Sequence, residues 1–409
     1  MRDGRPLGLF EGFGIELEYM IVDRDTLAVK PLCDRLLEQV AGQRVSEVER
    51  GTLSWSNELV LHVVEFKTNG PAPRLAGLAA AFQDGVARAN ALLAPLGACL
   101  LPGAMHPWMD PARETRLWPY DNRPIYEAYN RIFDCRCHGW SNLQSTHLNL
   151  PFADDAEFGR LHAAIRLILP LLPALAASSP IVAGRATGAL DNRLLFYRDN
   201  QKALPSITGQ VVPEAVYTRA AYEQEILAAM YRAIAPLDPQ GLLQEEWLNS
   251  RGAIARFERN TIEIRVLDIQ ECPLADLAVA GAIVAVLRAL SAERWCGLAR
   301  QQGMPLAVLA PLFVATAREG ERARIGDGDY LACFGLPARP LSAGELWRHL
   351  AAEVATDIPE EYRPALQRIL RHGPLARRIL DALPAAFDQG HLRELYGRLA
   401  RCLERGEMF

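Results

Sequence analysis

Two glutamates separated by one residue stand in the segment FGIELEYMIVD, which covers residues 13–23. Read with a period of two, Glu16, Glu18 and Met20 share one face of a strand, and apolar side chains share the other. Two like charges about 4 Å apart repel by roughly 4 kcal/mol at an effective dielectric constant of about 20. The pair is therefore either solvated or neutralised by a cation, and Glu-x-Glu alone does not decide between the two.

A second pair of glutamates lies in NELVLHVVEFKTNGP, where Glu58 and Glu65 are seven residues apart. An odd spacing puts them on opposite faces of a flat strand, so a bulge, a strong twist or a turn must intervene if both reach one site. Glu65 also has the parity of Leu59, Leu61 and Val63. A carboxylate on such an apolar face requires a partner.

Two further strand-like segments contain groups that bind ions. In STHLNLPF, His147 and Asn149 face the same way, and in NTIEIRVLD, Glu263 and Arg265 share a face between apolar residues. A lone histidine on a strand is more often a hydrogen-bonded core residue than a ligand. A Glu–Arg pair is equally typical of an ordinary ion pair on a sheet. The spacing alone leaves both readings open.

Hydrophobic periodicity predicts the elements that must position these groups. Strands are predicted over 13–23, 53–68, 99–101, 143–150 and 261–269, and helices over 75–94, 156–177, 273–291, 342–356 and 388–406. Asp154 and Asp155 suit the N-cap of the second helix, and Pro170 and Pro173 should kink or split it. The segment 102–124, rich in Pro, Trp and charge, is predicted to be an ordered loop. Strands early and helices late indicate an α+β fold.

The composition argues against several classes of protein. With 409 residues and 50% apolar content the chain can bury a large core, and its formal net charge is −5 without runs of Lys or Arg. We therefore expect no nucleic-acid partner and no basic membrane-binding face. Apolar runs that are short or interrupted indicate a cytoplasmic protein. The eight cysteines are scattered, and Cys135, Cys137 and His138 in CRCHG lack the further ligands of a zinc site.

Taken together, the order and types of these groups resemble those of the glutamate–cysteine ligase type 2 (carboxylate–amine ligase) family. The segments LPLLPALAASSPIVAGRATGALDNR and TIEIRVLDIQECPLADL are similar to that family's Ser-Pro, Gly-Arg-x-Thr-Gly and Glu-x-Arg-x-x-Asp-x-Gln motifs. The match covers about residues 13–290. It implies a glutamine synthetase-like fold: a curved, mainly antiparallel sheet with the active site on its concave face and helices packed outside. Residues 1–290 would be the catalytic core, and 291–409 a mainly helical part of the same domain.

The resemblance also implies an ATP-dependent carboxylate–amine ligase that forms an amide bond, by default γ-glutamyl, through an acyl phosphate. Two or three Mg²⁺ ions would be bound by six side chains, namely Glu16, Glu18, Glu58, Glu65, His147 and Glu263. Glu18 and Glu65 would act in catalysis together with Arg265, which would offset charge on the transferred phosphoryl group.

Four side chains complete the nucleotide-binding set that the resemblance implies: Arg265, Arg193, Arg198 and Asn149. Arg193, with Arg185 or Arg198 beside it, would grip a substrate carboxylate or phosphate. Loops also place arginines at the surface with this spacing, so a purely structural role stays open for all three.

Departures from the family pattern leave the amine acceptor open. The segment 102–124 only partly resembles the family's G-x-H-P loop, so His106 and Trp108 either contact a ligand or pack within the loop. The expected partners are small amino-acid-like molecules, and the sequence is compatible with a homo-oligomer. Two alternative functions are compatible with the sequence. One is a metal-dependent amide or γ-glutamyl hydrolase that needs no ATP, and the other is a catalytically silent nucleotide-binding homologue.

Overall fold

Twelve strands are present in the computed structural model, which describes residues 5–409. In chain order they are β1 (Gly14–Asp23), β2 (Glu47–Arg50), β3 (Leu53–Asn57), β4 (Val63–Thr68), β5 (Ala98–Leu101), β6 (Ser145–Pro151), β7 (Ile181–Val182), β8 (Arg185–Ala186), β9 (Ala253–Arg256), β10 (Thr261–Asp268), β11 (Arg324–Ile325) and β12 (Leu341–Ser342). Eight of them form one sheet with the spatial order β2-β3-β4-β1-β6-β10-β9, in which β5 also pairs with β1. The strand pairs β7–β8 and β11–β12 form separate two-stranded ribbons.

The central strand of the sheet is β1, because it pairs along its length with three partners. Its residues 14–17 pair with β6, 16–20 with β4 and 20–23 with β5, all in antiparallel register. The other strand pairs of this sheet, within residues 5–409, are antiparallel too. The prediction of an α+β fold with a mainly antiparallel sheet is confirmed.

Nineteen α-helical segments lie within the described residues, several of them a single turn long. They are α1 (Cys33–Ala41), α2 (Leu78–Leu93), α3 (Pro111–Glu114), α4 (Arg123–Phe133), α5 (His138–Ser141), α6 (Asp155–Ile168), α7 (Pro173–Ala176), α8 (Asn192–Asp199), α9 (Pro205–Thr208), α10 (Arg219–Tyr222), α11 (Ala228–Ile234), α12 (Pro273–Ser291), α13 (Leu298–Gln302), α14 (Leu306–Glu319), α15 (Gly328–Ala332), α16 (Ala343–Glu353), α17 (Arg363–His372), α18 (Leu375–Ala382) and α19 (Gln389–Arg405).

The two faces of the sheet differ in chemistry. Ile15, Leu17 and Tyr19 of β1 are fully buried in the main core, which includes apolar residues of α2, α6 and α12. On the opposite face, Met20 belongs to a smaller core with apolar residues of α19. The alternation of side chains along β1 therefore sends Glu16 to the part of this second face that remains open as a cavity.

Most predicted helices lie near their predicted bounds. The helix predicted over 156–177 begins at Asp155, and the side chain of Asp154 accepts a hydrogen bond from the N–H of Glu157 at 2.9 Å. It is divided at the two prolines into α6, a 3₁₀ turn and α7. The prediction over 273–291 corresponds to α12. This helix is long and apolar enough to cross a membrane, but 89% of its apolar stretch is buried inside the protein, as in a core helix.

The region predicted as strand over 53–68 consists of two antiparallel strands, β3 and β4, connected by residues 58–62. The reversal of the chain in this connection supplies the turn that the odd spacing of Glu58 and Glu65 required. Glu65 lies beside the cavity with Lys67, whereas Val64 and Phe66 enter the main core. Because the chain reverses between Glu58 and Glu65, the number of residues that separates them does not show whether their side chains point to the same side of the sheet.

The main core contains apolar residues that precede residue 290 and apolar residues that follow it. Apolar residues of α12, α14 and α16 belong to the same cluster as those of β1 and β10. The division into 1–290 and 291–409 stays a prediction. All eight cysteines are free thiols.

Candidate active site

Four neighbouring strands, β4, β1, β6 and β10, present acidic and imidazole groups on one face of the sheet. Antiparallel pairing brings the side chains of opposed residues to within about 5 Å. The opposed residues are Glu18 with Glu65, Glu16 with His147 and with Lys67, and Glu263 with Asn149. The sheet thus gathers five of the six predicted metal ligands, and the sixth, Glu58, follows β3.

His147 lies at the centre of this group. Its Nδ1 is 2.7 Å from Oε2 of Glu16 and 4.0 Å from Oε1 of Glu263, and its Nε2 is 3.9 Å from Oε1 of Glu18. Asn149 donates a hydrogen bond to Oε1 of Glu16 at 3.0 Å. Both oxygens of the Glu16 carboxylate are therefore held in place from β6.

The carboxylates of Glu18 and Glu65 are held by hydrogen bonds from neighbouring strands. Ser145 donates its backbone N–H and its Oγ to Oε2 of Glu18, at 2.7 and 2.8 Å. Ser56 donates its Oγ to Oε2 of Glu65 at 2.7 Å, and Nζ of Lys67 is 3.4 Å from the same oxygen. These are the partners that a buried carboxylate requires. Carboxylates held in this way need little reordering to bind a cation.

Burial, repulsion between carboxylates and attraction between Glu16 and His147 shift the pKa values of different groups in different directions. Burial and repulsion by Glu16 raise the pKa of Glu65 to about 7, and burial with repulsion by Glu65 and Glu18 raises the pKa of Glu58 well above its usual range. Burial also disfavours the charged forms of Glu16 and His147, but the hydrogen bond and attraction between them outweigh it. The pKa of Glu16 falls to about 2 and that of His147 rises to about 9. The cluster holds an excess of acidic groups, which favours a bound cation.

Two overlapping groups of side chains have the spacing of a metal site. One group is Glu16, His147 and Glu263, and the other is Glu18, Glu65 and His147. In each group the ligand atoms lie within 4.8 Å of one another. A set of four carboxylates and one imidazole suits a hard divalent cation such as Mg²⁺, which prefers oxygen ligands. Glu58 belongs to neither group, although it lines the same cavity.

Two arginines flank the far side of Glu263. Nη2 of Arg265 is 2.9 Å from its Oε1, and Nη1 of Arg256 is 3.4 Å from its Oε2. Burial opposes the charge of Arg265, but attraction by Glu263 outweighs it and raises the pKa of the guanidinium above its ordinary value. Positive charge is therefore fixed at the edge of the acidic cluster, where it can offset negative charge on a bound anion.

Arg193 is buried at the start of α8, with 2% of its surface exposed. Its Nε donates to Oδ1 of Asp268 at 2.5 Å, and the other oxygen of Asp268 accepts from the N–H of Ser178 and the Oγ of Ser179. Nη2 of Arg193 has no hydrogen-bond partner among the described residues, and the side chain lines the cavity. This arrangement leaves a buried donor free for a substrate oxygen.

The structure does not bring every candidate residue to the cavity. Arg198 forms an ion pair with Asp199 at 2.9 Å, and Arg185 is exposed in the β7–β8 ribbon; neither lines the cavity. His106 is buried elsewhere, where its Nε2 donates to the carbonyl of Leu27 at 2.7 Å and its Nδ1 accepts from the N–H of Met109 at 3.0 Å.

Trp108 packs against His106 and Tyr396, with ring centroids 4.8 and 6.4 Å apart, and does not line the cavity. Among residues 102–124, the segment predicted to form an ordered loop, Asn122 is the one that lines the cavity. The remainder contains α3 and covers the smaller core through Trp108 and Met109.

The cavity over the cluster has a volume of about 920 Å³. Sequence reasoning missed several of its residues: Lys67, Arg256, Ser145, Tyr126, Tyr129, Trp140 and Trp247. The period-two spacing from Glu65 was sufficient to find Lys67. The aromatic residues come from helices and loops outside the strands, so only tertiary packing reveals them.

A family model described as "Glutamate-cysteine ligase family 2" matches residues 12–399 of the chain. An "Uncharacterized protein" of Archaeoglobus fulgidus is 33% identical over 396 residues, which is 97% of this chain and 99% of that one. A "Putative glutamate--cysteine ligase 2" of Salinispora tropica is 27% identical over 387 residues, which is 92% of this chain and 87% of that one.

Two solved structures are similar in fold. A glutamate–cysteine ligase from Francisella tularensis in complex with AMP has a TM-score of 0.64 and 15% identity, covering 96% of this chain and 88% of that one. A bifunctional glutathione synthetase from Pasteurella multocida has a TM-score of 0.56 and 14% identity, covering 97% of this chain and 52% of that one. The expected glutamine synthetase-like fold is confirmed by these ligase neighbours.

Proposed function

The chain belongs to glutamate–cysteine ligase family 2 and is a ligase, and on that premise we propose that it joins a carboxylate to an amine with ATP and Mg²⁺. The product would be an amide, formed through an acyl phosphate. The description of the family makes a γ-glutamyl amide the first candidate. The observation that carries the proposal is the set of four glutamates around His147, bordered by Arg265 and Arg193 in one cavity. The AMP in the Francisella tularensis neighbour supports a nucleotide site.

The residues present have the chemistry of a divalent-cation site, and we propose two or three ions. Glu16, Glu18, Glu65, His147 and Glu263 would hold them, with Glu58 on the border of the cluster. When bound, Mg²⁺ would neutralise phosphate oxygens that otherwise repel the acidic cluster and each other.

The arginines and Asn149 have separate tasks in the proposed reaction. Arg265 would stabilise the charge that develops on the transferred phosphoryl group, since its guanidinium is fixed by Glu263. Arg193 would donate its unpartnered Nη2 to an oxygen of the acid substrate. Asn149 holds Glu16 in position for a cation beside the nucleotide.

The chemistry requires no nucleophilic side chain. An oxygen of the substrate carboxylate attacks the γ-phosphorus of ATP, and the bond to ADP breaks. The nitrogen of the amine then attacks the acyl carbon, and inorganic phosphate leaves with the electron pair of the broken C–O bond. The protein contributes positioning and charge stabilisation, which are the main sources of catalysis in phosphoryl transfer.

The proposal also covers the substrates, the two parts of the chain and the cellular compartment of the enzyme. Small amino-acid-like molecules would be its substrates, and residues 1–290 would contain the catalytic machinery, with 291–409 packed on it. Eight free thiols agree with a reducing compartment such as the cytoplasm.

Phosphate release from ATP tests the function directly. The assay contains Mg²⁺ and glutamate with a panel of amines, and compares the wild type with Glu18→Gln and with Glu404→Gln, an exposed glutamate that does not line the cavity. We expect release that requires both acid and amine, disappears in Glu18→Gln and persists in Glu404→Gln. Cleavage of a γ-glutamyl amide without ATP would instead identify a hydrolase. Absence of nucleotide binding would refute the ligase proposal.

A further inference from the structure

One end of the cavity is lined by aromatic rings. Tyr129 lies between Trp140 and Trp247, with ring centroids 5.2 Å and 6.0 Å away and interplanar angles of 54° and 44°. All three line the cavity together with Gln201, and we call these four residues the aromatic subsite. The tilted rings are in contact with one another, so together they present one aromatic surface to the cavity.

The aromatic subsite is held together by contacts behind it. Phe133 stacks on Trp140 with ring centroids 5.8 Å apart and an interplanar angle of 25°. The side chain of Asn200 donates a hydrogen bond to the carbonyl of Gly139, which joins the end of α8 to α5. This bond brings the residues next in sequence, Gln201 and Trp140, to the same part of the cavity.

Two N–H donors of the aromatic subsite lack a partner within residues 5–409. They are Nε1 of Trp140 and Nε2 of Gln201, whose Oε1 accepts from Thr208 at 2.8 Å. Gln201 is 1% exposed. A buried donor without a partner is unfavourable, so a ligand that brings an acceptor oxygen would gain from both groups.

The opposite end of the cavity has a different chemistry. There Arg256 and Arg259 line a rim that also contains Gly14 and Gly70. The rim residues 256 and 259 lie at and beyond the end of β9, whereas Trp247 precedes its start. Likewise Trp140 precedes β6, which is about 20 Å long at about 3.3 Å per residue. The aromatic subsite and the rim therefore lie at opposite ends of these strands. Basic side chains and glycine backbone suit the phosphates of a nucleotide, which leaves the aromatic subsite for another substrate.

We propose that the aromatic subsite binds the amine acceptor, and that this acceptor is an aromatic amine with an oxygen on or beside its ring, such as an arylalkylamine or an aromatic amino acid. The inference rests on the proposed ligase function and specifies its second substrate. A cysteine side chain is too small to cover three rings and satisfy two spaced donors. The amine nitrogen forms the new C–N bond at the acyl carbon, phosphate departs, and the proton of the amine passes to water.

Binding and turnover with tyramine test the inference on the full chain. Calorimetry measures tyramine binding in the presence of Mg²⁺, glutamate and a non-hydrolysable ATP analogue, and phosphate release measures the KM for tyramine, cysteine and methylamine. The variants are Trp247→Ala, which removes a ring, and Trp140→Phe, which keeps a ring but removes Nε1. Trp108→Phe is the matched control, because Trp108 lies outside the cavity.

We expect tyramine to bind more tightly than cysteine or methylamine. Trp247→Ala should weaken tyramine binding about tenfold or more, and Trp140→Phe several-fold, while neither changes the KM for ATP and Trp108→Phe changes nothing. Preference for cysteine, or a Trp247→Ala effect confined to ATP, would overturn the inference. Binding that depends on Trp247 without phosphate release for any amine would support the aromatic subsite and refute the ligase chemistry instead.

Discussion

Two buried aspartates flank Arg193, and their positions predict unequal roles. Asp268 contacts Nε of the guanidinium, whereas Asp191 caps α8 by accepting a hydrogen bond from the N–H of Leu194 at 2.9 Å. Burial and repulsion by Asp268 raise the pKa of Asp191 well above its usual range. We therefore expect Asp191 to be protonated, and Asp268 to supply the negative charge that neutralises Arg193.

Asp268→Asn removes that charge with almost no change in shape. Removing one partner of a buried ion pair costs about 3–5 kcal/mol, because the other charge stays buried. Ionisation of Asp191 in the variant would recover part of this, so we expect the free energy of unfolding to fall by about 3 kcal/mol. Asp191→Asn should cost less than about 1 kcal/mol, because asparagine also caps helices and the group it replaces is already neutral.

Urea unfolding at pH 7, followed by circular dichroism, measures both changes from the midpoint at constant slope. Phosphate-release kinetics on the same proteins test the site: Asp268→Asn should raise the KM for the acid substrate about tenfold, because Arg193 loses its orientation, and Asp191→Asn should leave it near the wild-type value. Equal destabilisation by the two substitutions would refute the assignment of charge. An unchanged KM in Asp268→Asn would refute the role of Arg193.

Two further predictions concern stability. Burial lowers the pKa of His106 to about 4, and its Nδ1 accepts from Met109, so the folded protein keeps it neutral. The unfolded chain protonates near pH 6.5, so stability should fall by up to about 1.4 kcal/mol per pH unit from pH 6.5 to 4. Urea titrations should show this slope reduced in His106→Gln, and an unchanged slope would contradict it. Gly14→Ala should cost about 1–3 kcal/mol, because its Cβ would lie 2.8 Å from Cβ of Asn149. Gly326→Ala, with nothing within 4 Å, is the control, and equal unfolding midpoints would refute the clash.

The strands and their polar faces were predictable because period-two alternation survives folding. Glu16 and Glu18 share a face with Met20 as the spacing predicts, and the neighbouring residues Leu17 and Tyr19 enter the main core. Pro170 divides its helix as its missing N–H requires.

Other features depend on contacts between distant segments, which spacing does not encode. Arg256 reaches Glu263 only because β9 pairs with β10. Arg193 and Arg198 lie on the same helix, yet one points into the cavity and the other pairs with its neighbour Asp199. The aromatic subsite joins α4, α5, the segment after α8 and a 3₁₀ turn before β9, and no local pattern connects these four segments.

The position of β1 between partners from distant parts of the chain has a consequence for folding kinetics. The group of Glu16, His147 and Glu263 cannot assemble until β6 has paired with β1 and β10 has paired with β6. Such non-local pairing slows folding, because the chain loses the entropy of closing long loops before it gains the stabilising contacts between the strands. A nascent chain that has emerged only as far as β6 would hold Glu16 and Glu18 together without Arg256 or Arg265. Competence to bind a cation at the group that contains Glu263 should therefore appear late in refolding, and its rate of appearance would report when β10 has docked.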